Sequence, residues 1–428
     1  MEIRVTTHRK IKYDVIIFML NTGLEKIGQF LQTDAHYLFK GSSWLGMSQA
    51  IAALASFGAA VAFANLLPPN DYGTYKYVLG VMGVLAVTTL PELSTVVVQT
   101  SAKGATGTLI PALIARVRFS FIGVLLGLGI AGYYAFQGNI ELTIPFLIVA
   151  LALPIIEPLA TTQGVFVGKR LFKEAAIYTS VTAVASAVGV IVVLLFTDNV
   201  WMVLLAYLLA TLVSRFFRLR QVWKIAKQEK VDYDALKFGM HLSFSVAIAG
   251  VAANADSLIL WHMTNPETLA VYAFAVATLT PARTFLKTLV NLAHPKIAVA
   301  NHETLQGNLL GRITRSWFIL LLPVALFITI MPFIYEIFFP RYMEAVPLAQ
   351  VMALGLIFTP NKLLSVALIA RQKAGPLYHV GIWASGARII LFVTLVPLFG
   401  IWGAVFATLL SQTFSGLVTY IFFKRKIS

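Results

Sequence analysis

The chain has 428 residues, 58% hydrophobic and 12% charged, with a mean hydropathy of +0.81 and a formal net charge of +15. Soluble domains carry roughly 25% charged residues, so this composition excludes a soluble enzyme, a disordered chain and a fibrous repeat, and leaves a polytopic membrane protein. With no cysteine there is no disulfide framework, no thiolate metal site and no cysteine nucleophile.

Residues 1–40 hold no span: Val15 to Leu20 is too short even for a signal-peptide core. Leu20, Leu24, Ile27 and Leu31 recur at helical spacing, with Glu25 and Lys26 off that stripe. The pattern fits a cytoplasmic amphipathic extension lying in the interface, and fits a loosely ordered tail equally well. A span needs about 20 apolar residues. Twelve segments meet this: 43–64, 76–98, 117–136, 142–167, 175–197 and 200–217, then 238–262, 268–293, 313–339, 345–370, 376–397 and 400–423. Their apolar runs are continuous rather than alternating, so the expected fold is all-α, a polytopic bundle of about twelve transmembrane helices. Pro91, Pro154, Pro158, Pro281, Pro323 and Pro360 should kink or unwind their spans.

With the N-terminus placed in the cytoplasm, 27 of the 33 Lys and Arg residues fall inside and only Lys76 and Arg341 outside. The positive-inside rule therefore puts both termini in the cytoplasm, and the same bias accounts for the net charge without nucleic acid. The expected setting is a bacterial or archaeal plasma membrane.

A shift of 197 residues brings Pro69-Asn70-Asp71-Tyr72-Gly73-Thr74-Tyr75 onto Pro266-Glu267-Thr268-Leu269-Ala270-Val271-Tyr272. Each stretch follows the first span of a set of six. Two six-helix bundles, 41–217 and 238–428, are thus expected to lie parallel around a central cavity. A basic cytoplasmic connector, 218–237, would join them as a solvated segment near anionic headgroups.

Eight ionisable residues fall inside spans: Glu92, Glu157, Asp256, Arg283, Lys287, Glu336, Lys362 and Arg388. Each costs roughly 2.5–3.5 kcal/mol on insertion scales, so each is a functional candidate. Arg283 and Lys287 share a helix face to which His294 returns, with Thr280 and Asn291 flanking. Two readings stand. Asp256 pairs with Arg283 or Lys287 and fixes packing, or the cations face a cavity and attract anionic cargo. Arg283 suits bidentate phosphate binding best. Glu92 and Glu157 accompany helix-perturbing prolines and, with Asp256, are candidates for proton or cation coupling. Gly164 to Arg170 lacks the spacing and the Ser/Thr of a Walker A loop, and the histidines are too scattered for a metal site. No catalytic residue, metal or cofactor is expected.

Several stretches resemble a known family. They are Lys40-Gly41-Ser42-Ser43-Trp44-Leu45, the run Ala64 to Tyr75, and Gln163-Gly164-x-Phe166-x-Gly168-Lys169-Arg170-x-Phe172-Lys173. Asp256-Ser257-Leu258-Ile259-Leu260, Pro295-Lys296-Ile297 and Phe399 to Thr408 complete the set. Together they resemble the Wzx-type polysaccharide-biosynthesis flippases of the multidrug/oligosaccharidyl-lipid/polysaccharide exporter superfamily. In that family the span-seven aspartate is often followed by a basic residue; here Ser257 stands there. The resemblance implies a two-bundle fold that passes polyprenyl-diphosphate-linked oligosaccharide to the outer leaflet by alternating access. It implies partnership with the lipid bilayer and with the glycosyltransferases and polymerase of one pathway. Arg283, Lys287, Arg388 and Lys362, with His294 and Asn291, would replace the water around the diphosphate, and downhill proton or sodium entry would bias direction. The rival readings are a multidrug or cation antiporter of related architecture and an integral-membrane glycosyltransferase. The second lacks the sizeable outer loop with paired carboxylates that such enzymes use.

Overall fold

The computed structural model describes residues 35–292, 302–370 and 374–427. Most of the expected N-terminal extension, and His294, lie outside them, as do the side chains of Lys287 and Asn291. Among the described residues there are helices and no strands.

The first half comprises α1 (Ala35–Leu66), α2 (Pro69–Ala86), α3 (Leu93–Ala102), α4 (Leu109–Phe136), α5 (Ile140–Ala160), α6 (Thr162–Gly168), α7 (Phe172–Leu194) and α8 (Val200–Ala226). The second comprises α9 (Tyr233–Ser245), α10 (Ala247–Ala253), α11 (Ala255–Met263), α12 (Pro266–Leu292), α13 (His302–Phe338), α14 (Ala345–Ala353), α15 (Lys362–Ala370) and α16 (Ala374–Ile427).

Nine described helices or continuous helical stretches are long and apolar enough to cross a membrane, and two bent pairs pass the same test together. The last of the nine, His379–Lys424, has 46 residues. Straight, it would reach about 69 Å, twice the hydrocarbon thickness. It bends instead at Gly400, whose φ of 57° and ψ of −131° are open only to glycine. Beyond the bend a β-carbon on Gly403 would lie 2.0 Å from the Leu395 carbonyl oxygen, so the second arm turns back against the first. Counted as two crossings there, the described residues hold the twelve expected spans.

Span two bends by 55° between Pro69–Thr89 and α3. Leu90 takes a left-handed φ of 55° and Pro91 follows, so the expected proline break is present. Pro154 and Pro158 sit inside α5 without ending it, whereas Pro360 falls in a 3-10 stretch, Leu354–Asn361. Span seven breaks without any proline. Asn254 Nδ2 donates to the Gly250 carbonyl one turn back, competing with the backbone ladder, and Asn254 leaves the helix at φ −111°, ψ 5°.

One apolar core runs through both halves, from Phe63 to Ala407. It is densest at the end of the bundle where α2 and α12 begin. Tyr72 stacks on Phe274 with centroids 4.5 Å apart, and Phe274 lies 4.0 Å from Tyr342. At the opposite, basic end a smaller cluster around Leu93, Leu109 and Phe166 takes in Leu236 of α9. The expected connector 218–237 is mostly ordered helix: α8 continues through Ala226, and only 227–232 separate it from α9. Those few residues dock on the first half. Glu229 pairs with Lys169 and accepts the Thr106 backbone N–H at 2.9 Å, and the Asp232 backbone N–H donates to Thr108 Oγ1 at 2.9 Å.

Candidate functional site

Between the halves lies a cavity of about 830 Å³. Its walls keep the 197-residue register. Ala59 and Asp256, Ala60 and Ser257, Tyr72 and Leu269, Tyr75 and Tyr272, Lys76 and Ala273, and Leu79 and Val276 all line it, six pairs related by that shift. The frame is symmetric and its charges are not. Lys76 stands where the second half has Ala273, and Asp256 where the first half has Ala59.

Among the described residues the cavity's cations come from the first half, Lys76 on α2 and Arg215 and Arg218 on α8, against the single carboxylate of Asp256. Lys76 sits two turns into α2 because the helix starts at Pro69, whose missing N–H suits a first helical turn. Its ammonium lies 5.3 Å from the Tyr72 ring centroid and within electrostatic reach of Tyr207 and Asp256. Among the described residues it makes no hydrogen bond or ion pair. Arg218 is only 6% exposed, not solvated as a connector residue would be. It donates to Thr162 Oγ1 at 2.7 Å, to Gln163 Oε1 at 2.9 Å and to the Leu159 carbonyl at 3.3 Å. Arg215 spends one donor on the Ile156 carbonyl at 2.6 Å and keeps the rest of its fork for the cavity. Hydroxyl groups continue this wall, with Ser186 and Thr211 oxygens 3.1 Å apart.

Among the described side chains, the cations expected from the second half, Arg283, Lys362 and Arg388, do not line this cavity. Arg283 is partly buried on α12 between the lining residues Pro281 and Thr284, within electrostatic reach of Asp256, Arg388 and Tyr272. Arg388 reaches the Asp256 carboxylate at 3.4 Å, so among the described side chains Asp256 pairs with it rather than with Arg283. Lys362 opens α15 with its side chain exposed. Among the acidic candidates, Glu157 forms an ion pair with Arg116 at 3.6 Å. Arg116 is 1% exposed and braces the break in span two. Its Nε donates to the Thr89 carbonyl at 2.9 Å and its fork reaches Thr89, Ser94 and Thr161 hydroxyls at 2.7–2.9 Å. Glu92 is partly buried just after that break, and its backbone N–H donates to Ser243 Oγ at 3.2 Å, tying span two to span seven.

Sequence reasoning missed Lys76, Arg215 and Arg218 as cavity residues, and Arg116 as a buried brace. The signal was present: Tyr72, Tyr75, Lys76 and Leu79 share a helix face, as do Thr211, Arg215 and Arg218.

A family model described as polysaccharide biosynthesis protein matches residues 38–301, more than half of the chain. No curated protein matches. Among solved structures, "Lipid II flippase MurJ, inward closed conformation" aligns at TM-score 0.67 and 12% identity, covering 88% of this chain and 86% of that one. "Crystal structure of MATE in complex with MaD5" aligns at TM-score 0.62 and 14% identity, covering 90% and 94%. A MOP superfamily transporter from Pyrococcus furiosus, described by its "reverse polarity of binding pocket", aligns at TM-score 0.58 and 14% identity, covering 91% and 95%. At these identities the structural likeness establishes the fold. The multi-pass bundle seen in the MATE and MurJ structures agrees with a family match over the first half and the opening of the second, and the chain belongs to the polysaccharide biosynthesis protein family.

Proposed function

We propose that this protein is a flippase that carries polyprenyl-diphosphate-linked oligosaccharide across the membrane by alternating access. The observation that supports this most directly is the cavity between the halves, with Lys76, Arg215 and Arg218 set against one carboxylate. A diphosphate cannot cross about 30 Å of hydrocarbon bare, because buried unpaired charge is prohibitively costly. Guanidinium groups inside a wet cleft offset that cost, and Arg215, with donors to spare, suits a phosphate oxygen best. Arg283 borders the same wall and would join as the halves rock. The cavity's cationic excess disfavours a carrier for cationic drugs.

In this reading the basic end faces the cytoplasm of a bacterial or archaeal plasma membrane, and the aromatic end closes the outer side. Asp256 is the strongest coupling candidate for a proton or sodium ion, since it lines the cavity and its ion pair with Arg388 is long, at 3.4 Å. The enzymes that build and polymerise the sugar chain would be the functional neighbours.

The test is purified protein in vesicles carrying a short polyprenyl-diphosphate-linked saccharide, with leaflet exposure followed by an impermeant glycosidase. Wild type should equilibrate the cargo, and Arg215→Gln should slow it at least ten-fold at unchanged protein level. Equal rates with and without protein would refute the proposal.

A further inference from the structure

The roof of the cavity differs in chemistry from its floor. Along α8 the lining residues run from Tyr207 to Arg215 and Arg218, eight and eleven residues apart and so about 12–16 Å. The floor near Arg218 offers guanidinium, amide and hydroxyl groups. The roof offers rings, Tyr72, Tyr75, Tyr207 and Tyr272, with Lys76 the one cation among them in the described residues.

Each ring's hydroxyl state matters. Tyr272 is tied to Thr408 at 2.9 Å. Tyr75 and Tyr207 make no hydrogen bond among the described residues, which leaves their hydroxyls for whatever fills the roof. Lys76 is in the same position among the described residues: its ammonium stands 5.3 Å from the Tyr72 ring centroid, and the Asp256 carboxylate within its electrostatic reach is engaged by Arg388. An ammonium held at bilayer depth without an anionic partner carries a standing desolvation cost. A neutral sugar would need only rings and hydroxyls and would leave that cost in place. A sugar bearing a carboxylate would satisfy it through a charge-assisted hydrogen bond while its ring stacks on tyrosine.

Building on the flippase reading above, we propose that Lys76 and the tyrosines around it form a subsite for an acidic sugar, a hexuronate-type residue of the cargo. The diphosphate then lies toward Arg215 and the saccharide points to the aromatic end. The cargo has a fixed polarity in the cavity, and Lys76 is its specificity residue rather than a phosphate ligand.

The experiment uses full-length protein in detergent and three soluble probes: a glucuronate-containing disaccharide, the neutral disaccharide of otherwise identical structure, and inorganic pyrophosphate. Binding is read by saturation-transfer NMR and ligand-induced thermal shift. Wild type should bind the acidic disaccharide at least ten-fold more tightly than the neutral one. Lys76→Gln should erase that preference and leave pyrophosphate affinity within two-fold, and Lys76→Arg should retain the preference, which separates recognition from misfolding. Arg215→Gln should do the reverse, weakening pyrophosphate alone. Equal binding of the two disaccharides, or binding of neither at millimolar concentration, overturns the subsite. Loss of pyrophosphate binding in Lys76→Gln also overturns it, by making Lys76 a phosphate ligand and leaving the flippase reading intact. Pyrophosphate binding indifferent to Arg215 would instead count against the flippase reading.

Discussion

Tyr75 and Tyr272 stand 197 residues apart and line one cavity from opposite halves, at equivalent points on α2 and α12. Both helices begin with a proline, Pro69 and Pro266, and the two starts touch. A β-carbon on Gly73 would lie 1.9 Å from the Pro266 carbonyl oxygen. Backbone stands on the other side of that contact, so no side chain can swing away to make room.

Gly73→Ala should therefore part the halves at the aromatic end, or destabilise the protein by about 1–3 kcal/mol if the contact cannot yield. The cysteine-free chain allows spin labels on cysteines introduced at the exposed, repeat-related positions Asn70 and Glu267. Electron–electron distance measurements should show a longer or broader distribution in the variant. An unchanged distribution together with an unchanged melting temperature would contradict the contact.

Arg116 gathers four hydrogen bonds and one ion pair around the broken turn at Thr89–Leu90. Arg116→Met removes all of them and leaves Glu157 without its counter-charge, a change that costs about 3–5 kcal/mol when a buried pair is broken. Adding Glu157→Gln should recover part of the loss, because the stranded carboxylate is then neutral. Thermal unfolding in detergent measures both steps. Full additivity of the two substitutions would show that the pair is not coupled.

Glu229 docks the short connector onto the first half. Burial at this contact pushes its carboxyl up, but the Lys169 ammonium and the Thr106 backbone N–H outweigh burial and hold it below the usual carboxylate range. A depressed folded-state value means the docking contributes stability above the unfolded carboxyl value, and that contribution is lost as pH falls through the folded value. At neutral pH the latch should be closed, and it should release only once the pH has fallen below the ordinary carboxylate range. Protection factors at 103–108 and 227–232, referenced to the intrinsic exchange rate at each pH, should fall on acidification, and Glu229→Gln should show the low protection already at pH 7. Protection independent of pH in wild type would remove the latch.

The twelve spans were legible because hydrocarbon thickness imposes a length that no soluble fold requires. The repeat was legible because two proline-led helix starts and two tyrosines kept their register. The site's charges were not, for a local reason in each case. Hydropathy placed the start of span two at 76, since Pro68 to Asp71 are not apolar, yet the helix begins at Pro69 and carries Lys76 inward. Arg218 read as a connector residue because its hydrogen-bond partners, Thr162 and Gln163, are 56 and 55 residues away. Arg116 was hidden likewise by Thr161, 45 residues on. Periodicity reports which face a residue takes, not what it meets there.

The pairing of Asp256 with Arg388 is incomplete in a way that can be measured. The contact is long at 3.4 Å, the side chains are 17% and 29% exposed, and Arg388 Nε is buried with no hydrogen-bond partner. The guanidinium also lies 5.5 Å from the Phe392 ring, which holds it in place when the carboxylate lets go. Asp256→Asn should thus lower stability by only about 1–3 kcal/mol, and combining it with Arg388→Leu should be non-additive by about 0.5–3 kcal/mol. The functional consequence separates the two residues. If a proton or sodium ion drives transport through Asp256, Asp256→Asn removes the response of cargo flipping to an imposed ion gradient. Arg388→Leu should keep that response, because the carboxylate still faces the cavity. Vesicles with opposed proton and sodium gradients test this directly, and a gradient response surviving in Asp256→Asn would move the coupling site elsewhere in the bundle.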